Sequence, residues 1–564
     1  MKTCSPVFLV LTALALSGTL TQAQGIDSKG KDFYMAFLPT NGDGNFPSYY
    51  LIISSDQPTR GVITYNGTGE SFNVLIPEPN TPVILLLDTF KLMMPTMTAE
   101  LFNNTLRATF DADVTIYGMN TIRWSSDGFL ALPVEALGKN YLVMSYPNTT
   151  EPGVNGTNFG RSDIPGQFAV VATENNTQVT IIPTTPVNKR ASIDPFVVTL
   201  NAGEIFLGQA TDQTPYIRAG RDLTGTRIVS NQPVVVYGSS VRTNIPWQAA
   251  VGRDHLVEQM TPVAYWDSSY IVTPHYQLFK SANDSNIVRI IPAENQTRVS
   301  INGSYHSTVS PPEVLELLLE DVMQITADKP ILTAQYQHST VGYQSLAPSL
   351  LPNDSVGDPF MALVQGTKQY QKSYTFSSFD SKEFFYNYAN VVVPYSAAAS
   401  LKVDGKPITE TFKLVSGTDY IYSIIPLTSG KHTITADKPF GLLIYGYGPY
   451  NSYGFPGGFK FLDPPAGVER SELIEGEARI SVTPQPILSG DALLTVELTK
   501  SMDLRATLFD AEGRVVKELF PYQQFERGRR TIPLDLSGFE SGLYQCHIVD
   551  DGGASRTLPV VVLR

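Results

Sequence analysis

The chain has 564 residues, a formal net charge of −13, 16% charged residues and two cysteines. An acidic chain with no basic cluster repels phosphate backbones, which argues against nucleic acid as a partner. The length calls for several domains, and two cysteines are too few to staple them.

Residues 1–23 read as a secretory signal peptide. Lys2 precedes an apolar run from Val7 to Leu16, and Thr21-Gln22-Ala23 places small residues at the cleavage site. Cleavage is expected after Ala23, leaving Gln24 as the first mature residue. Cys4 lies before the apolar run, so it is not a lipoprotein cysteine. No later stretch holds the ~18 apolar residues of a membrane helix. The mature chain keeps Cys546, in an alternating segment that fits a packed thiol rather than a nucleophile.

From residue 28 onward, short β-branched and aromatic runs are bounded by Gly, Pro, Asn, Asp and Ser, the pattern of many short strands with tight turns. Tyr49 to Ile53, Phe168 to Val171 and Asn390 to Val393 are examples. Glu313 to Glu320 is a candidate helix, with a strand as its alternative.

The pattern repeats. An extended run, a turn and a second run ending in tyrosine occur at Ile228 to Tyr237, Ile325 to Tyr336 and Ile434 to Tyr445, with a weaker copy at Ala108 to Tyr117. A strand, a polar turn and a strand carrying Val-Thr or Val-Ser precede each copy, most clearly at Val170 to Ile181 and Val288 to Ile301. Residues 28–460 therefore hold four units of roughly 100–120 residues, the size of a β-sandwich module. A β-propeller, in which each unit supplies more than one blade, is the alternative. The four tyrosines, Tyr117, Tyr237, Tyr336 and Tyr445, are expected at equivalent buried positions with each hydroxyl near a partner. The Pro and Gly of Asp463 to Gly467 place a linker over 462–477. Residues 478–564 then carry five strand patterns, enough for a small Ig-like sandwich. The fold class is thus all-β.

Motifs for chemistry are sparse. The histidines of the repeat region, His255, His275, His306, His338 and His432, show no zinc spacing. Asn41-Gly42-Asp43-Gly44-Asn45 alternates oxygen-bearing side chains, so Asn41, Asp43 and Asn45 are a weak calcium candidate; Ile52 stands where an EF-hand places its closing Glu. No cofactor fingerprint or nucleophile elbow is present. Glu258, Asp358, Asp380 and Glu383 are scattered carboxylates of the kind a glycosidase pairs across a sugar. Asn-x-Ser/Thr triplets at Asn66, Asn148, Asn155, Asn175, Asn295 and Asn302 read as turn sequences.

Two resemblances cover most of the chain. Gly30 to Phe37, Leu132 to Gly138, Asp254 to Pro262, Gly357 to Met361 and Ser452 to Gly458 make residues 30–460 similar to the N-terminal domain of the IgG Fc-binding protein family. Val482 to Pro486, Leu508 to Val516, Gly528, Leu536, Ser541 to Tyr544 and the closing run to Arg564 resemble the C-terminal sorting domain of the bacterial type IX secretion system. That family usually has Asn where this chain has Gln485, and often closes on Lys where this chain has Arg564. The resemblances imply a Gram-negative host, export by the type IX machinery and a location in the medium or on the outer surface of the outer membrane. The expected role is adhesion or binding of an extracellular glycan or protein ligand through the repeats, without cofactor or enzymatic activity. The alternatives are a secreted polysaccharide-active hydrolase and a structural envelope or matrix protein.

Overall fold

Alternation of apolar and polar side chains with period two, interrupted by turn residues, builds strands along almost the whole chain. The structure, a computed structural model, describes residues 26–41, 45–95, 100–147, 150–152, 158–160, 164–190, 192–210, 221–246, 252–277, 286–339, 356–379, 384–461, 478–483, 487, 491–510, 514–550 and 555–562. The signal peptide with Ala23 and Gln24, and the linker 462–477, lie outside them.

Each repeat is a two-sheet sandwich organised by one bent strand. The bent strands are Thr105–Thr121, Arg227–Thr243 and Gly430–Gly448; in the third repeat Met323–Ala327 and Ile331–Tyr336 take this place. The first half of each pairs with the module's opening strand, which is Gly30–Ala36, Gly138–Leu142, Ser269–Val272 or Gln371–Ser378. It also pairs with a hairpin strand, which begins at Thr59, Thr177, Thr297 or Lys402. The second half pairs with Ser48–Ser55, Gly166–Ala172, Asn286–Pro292 or Tyr386–Pro394, here termed the second strand. On that strand's far side lies an edge strand: Val83–Leu86, Ile205–Gln209, Leu315–Leu319 or Tyr420–Leu427. Leu315–Leu319 falls in the candidate helix. It is a strand because Leu315 and Leu317 turn inward while Glu316 and Leu318 face out.

The remaining strand of each module is axial: Asp127–Ala131, Asp254–Gln259, Met361–Leu363 and Asn451–Pro456. The first touches the second and the fourth, and the third touches the second and the fourth, so the four strands surround a common axis. The seam of this ring joins its two ends. Ser28 donates its N–H to the Phe459 carbonyl, Phe461 donates to Ile26, and Asp27 and Lys460 form an antiparallel bridge. The modules circle an axis as propeller blades do, but each folds into two layers, joined through the bent strand in the first, second and fourth modules and separate in the third.

The repeated tyrosines occupy one position, on the second half of the bent strand, and all four are buried. Each hydroxyl reaches into the preceding module of the ring. Tyr237 accepts from the Ala36 N–H at 3.2 Å and Tyr336 donates to the Ser145 carbonyl at 2.7 Å. Tyr445 accepts from the Tyr276 N–H at 2.8 Å, and Tyr117 donates across the seam to the Gly457 carbonyl at 2.6 Å. Three of the tyrosines are followed by glycine. At Gly238 a Cβ would lie 1.8 Å from the Met144 carbonyl oxygen, so the close approach of the chain excludes any side chain there.

The axis itself is held by carboxylates. Asp127 Oδ1 accepts from Gly128 N at 2.8 Å and Gly454 N at 3.2 Å; Oδ2 accepts from Val257 N at 3.0 Å and Met361 N at 3.2 Å. One side chain thus bonds all four axial strands. Burial pushes its carboxyl well above the usual carboxylate range, and the four N–H groups pull the other way. Glu258 accepts from Leu363 N and Leu130 N, and Asp254 from His255 N and Ser452 N.

Residues 478–562 have their own core, including Leu494, Val496, Leu504, Leu508, Cys546 and Ile548. Ala478–Thr483, Asp491–Leu498 and Gly528–Asp535 form one sheet. Val515–Phe525, Met502–Phe509, Gly542–Asp550 and Ser555–Val562 form the other. Cys546 is fully buried, and burial pushes its thiol up to about 12, which fits a packed, inert role.

Two substitutions test this account by chemical denaturation. Tyr336→Phe removes one buried hydrogen bond between modules and is expected to cost about 1–2 kcal/mol. Asp127→Asn places an amide N–H₂ against backbone N–H donors, strands at least two of them, and is expected to cost about 3 kcal/mol or more. An Asn variant as stable as the parent would remove the axial carboxylate from its central place.

Candidate functional site

One end of the ring gathers most of the connections. There the opening strands finish, the second strands start, the bent strands begin and end, and the axial strands begin, as the register of Ala36 with Thr105, Ser48 with Thr121 and Asn120 with Asp127 shows for the first module. A rigid scaffold with its connections gathered on one face is the usual seat of binding residues.

Trp124 stands on this face between a bent strand and an axial strand. It is 36% exposed and has φ of 64°, in the left-handed region that bulky side chains rarely adopt. Arg242 of the second module holds this conformation by donating Nη2–H to the Trp124 carbonyl at 3.1 Å, and its Nε–H bonds the Arg253 carbonyl at 3.0 Å. The Arg123 guanidinium lies 4.1 Å from the Trp124 ring centroid. Strained backbone held by outside contacts is characteristic of binding and active sites. Nearby, Thr40 and Ser125 share a hydroxyl contact at 3.2 Å.

Two further aromatic groups share this end. The exposed ring of Tyr276 stacks on Tyr388 at 4.5 Å, and Phe385 and Tyr386 are exposed beside that strand. Phe46 and Phe90 meet edge to face at 5.5 Å. Phe90 also borders a groove of about 460 Å³ with Lys91, Leu101, Phe102, Asn103 and Asn104. Lys91 bonds Glu70 at 2.6 Å, and Asn104 donates to the carbonyls of Lys91 and Met93. A smaller cavity of about 30 Å³, walled by Thr273, Gln335, Gln365 and Asn390 among aliphatic side chains, has room for a water molecule only.

The residues singled out from the sequence fall mainly elsewhere. Glu258 and Asp358 are buried, Glu258 as an acceptor for two axial strands; Asp380 and Glu383 lie outside the described residues. His255 is buried with Nδ1 at 2.8 Å from the Ser240 carbonyl, and burial pulls its imidazole down to about 4. His275 packs on Phe360 and Tyr445, bonds Gln337, and is pulled down to about 3. His432 joins Asp404 to the Thr428 carbonyl, His338 contacts Ser339, and His306 is exposed on a hairpin. Asn41 and Asn45 flank Gly42, Asp43 and Gly44, which lie outside the described residues. Among the described residues no group of three or more His, Cys, Asp or Glu side chains is arranged to hold a metal ion. Asn66, Asn175 and Asn302 serve turns: Asn66 bonds Thr105, Asn175 accepts from Ala202 N, and Asn302 has φ of 49°. Asn148 and Asn155 lie outside the described residues.

Sequence reasoning passed over Trp124, Arg123 and Arg242. The chain has three tryptophans, and Arg123-Trp124-Ser125-Ser126 follows a repeat tyrosine in a polar stretch, which is a readable signal for an exposed ring.

The sequence profile of the IgGFc binding protein family matches residues 127–446, from the first axial strand to the fourth bent strand. The human IgGFc-binding protein (Homo sapiens) is 22% identical over 447 residues, covering 76% of this chain; the chain spans 7% of the human protein's length. Among solved structures, dimeric latent PorU from Porphyromonas gingivalis shares 11% identity, covering 58% of this chain and 31% of that one, with a TM-score of 0.14. Trypsin-activated α-2-macroglobulin from Escherichia coli shares 10% identity, covering 95% and 49%, with a TM-score of 0.14. Scores this low carry no argument about fold or function. The profile match, which covers more than half of the chain, establishes that this protein belongs to the IgGFc binding protein family.

Proposed function

We propose that this chain is an exported binding protein that engages an extracellular glycan or protein ligand through the connection-bearing end of its four-module ring. The observation that carries this reading is the set of exposed aromatic rings at that end, with Trp124 fixed in a strained backbone beside Arg123 and Arg242. Aromatic faces and arginine forks are the side chains that dominate binding surfaces, for sugars as for proteins. The family supports a binding or adhesive role, and the name of the human relative makes immunoglobulin Fc one probe among others. An enzymatic role finds less support: Asp127, Asp254 and Glu258 spend their oxygens on backbone N–H groups, and Asp358 is buried.

The C-terminal sandwich is read as the type IX sorting domain, on the motifs quoted above and on its separate core. On this reading the mature protein works in the medium or on the outer surface of a Gram-negative cell, with the type IX machinery as a transient partner.

Two experiments test the reading. The full mature chain, applied to a glycan array and to immobilised Fc, is expected to bind a defined ligand. Trp124→Ala or Tyr276→Ala should weaken that binding by about tenfold or more without changing the melting transition. Unchanged affinity in both variants would move the site elsewhere. Deleting residues 478–564 should leave the ring folded but retained inside the outer membrane; release of the truncated chain at the normal level would sink the sorting assignment.

A further inference from the structure

Each module ends its second sheet in an edge strand, whose outer row of backbone N–H and C=O groups is open to pairing. Among the described residues the ring caps two of these edges and leaves two, Val83–Leu86 and Leu315–Leu319, without an outer partner; the second carries Glu316 on its outer face, the first no charge. In the second module Ile205–Gln209 is capped by Leu101–Phe102, with Ile205 opposite Phe102, Phe206 opposite Leu101, and Leu207 N bonded to the Glu100 carbonyl at 2.8 Å. This cap comes from the first module's connection between its edge strand and its bent strand. In the fourth module Tyr420–Leu427 is capped by Lys413–Leu414. Both caps are short, extended and antiparallel.

The first module's edge strand, Val83–Leu86, has no cap among the described residues; its described partner is Ser48–Ser55 alone. The module that precedes it in the ring is the fourth, packed against it where Ser54 bonds the Thr375 carbonyl and Thr375 bonds Asn80. The fourth module's equivalent connection is only Thr428-Ser429, too short to reach back over a neighbour's edge. Val83 and Leu85 face the core, whereas Ile84 is 43% and Leu86 65% exposed. Its four residues carry no charge, proline or bulge; its protection is limited to its short length and to Pro82 just before it.

We infer that Val83–Leu86 is a docking edge for an extended strand of a partner protein, paired antiparallel, with aliphatic or aromatic side chains on alternate residues that cover Ile84 and Leu86. The two internal caps show what chemistry these edges accept. Main-chain hydrogen bonds supply affinity, and the two exposed side chains supply selectivity. This interaction is separate from the ligand face proposed above and does not depend on it.

The test uses the full mature chain and a displayed library of nine-residue peptides. Selection is expected to enrich sequences with apolar residues at every second position. At saturation these peptides should slow hydrogen exchange at Val83 to Leu86. Ile84→Lys/Leu86→Lys should weaken binding by about tenfold or more, while Ile84→Thr/Leu86→Thr, which keeps strand propensity, reports on folding and should weaken it less. The inference is overturned if no such peptides are enriched, or if they bind the lysine variant as well as the parent. It is also overturned if the parent forms a dimer that the lysine variant abolishes, since the edge would then belong to a second copy.

Discussion

Where four sheets meet at one axis, their innermost strands present backbone N–H groups to one another with no ladder partner. An unsatisfied buried N–H costs about 1–3 kcal/mol, so a ring of this kind cannot close on apolar contacts alone. Here side-chain oxygens fill the axis. Asp127 takes four N–H groups from four strands, and Glu258, Asp254 and Gln259 take others. The placement of every module follows from this constraint. The tyrosine hydroxyls then fix each module against its predecessor, one strand further from the axis.

Much of the architecture was legible in the residues because it rests on local chemistry. Period-two alternation marked the strands, Asn and Asp marked the turns, and the repeated tyrosines marked a shared buried position. The axis was not legible in the same way. Glu258 and Asp358, taken singly, look like the scattered carboxylates of a hydrolase. Their burial depends on strands from distant modules, and a single sequence does not display that convergence. The Tyr-Gly pairs at Tyr117, Tyr237 and Tyr445 were a readable clue to close packing at the module contacts. The candidate helix over Glu313 to Glu320 became a strand because the neighbouring strand Asn286–Pro292 needed an edge partner, and tertiary context outweighed local propensity.

The candidate binding face was harder still to read. Trp124 is exposed because Arg242, from another module, holds its backbone in an unfavoured conformation. Glu258, Asp358, His255, His275 and His432, which carry much of the sequence's chemical promise, went instead to the interior. On the binding reading proposed above, function sits in the connections, while these buried groups serve the frame.

The seam has a consequence for how the molecule comes into being. Phe459 donates to the hydroxyl of Ser28 across 431 positions of chain, so the last contact of the ring must wait for nearly all of it to emerge. Pairings so distant in sequence are slow to form. Until then the first module lacks the flank that the fourth supplies, and Asp127 lacks the N–H groups of Met361 and Gly454. A chain that has emerged only in part therefore carries a half-satisfied centre. Closure of the ring is thus a late event, set by the arrival of the fourth module rather than by any one sandwich.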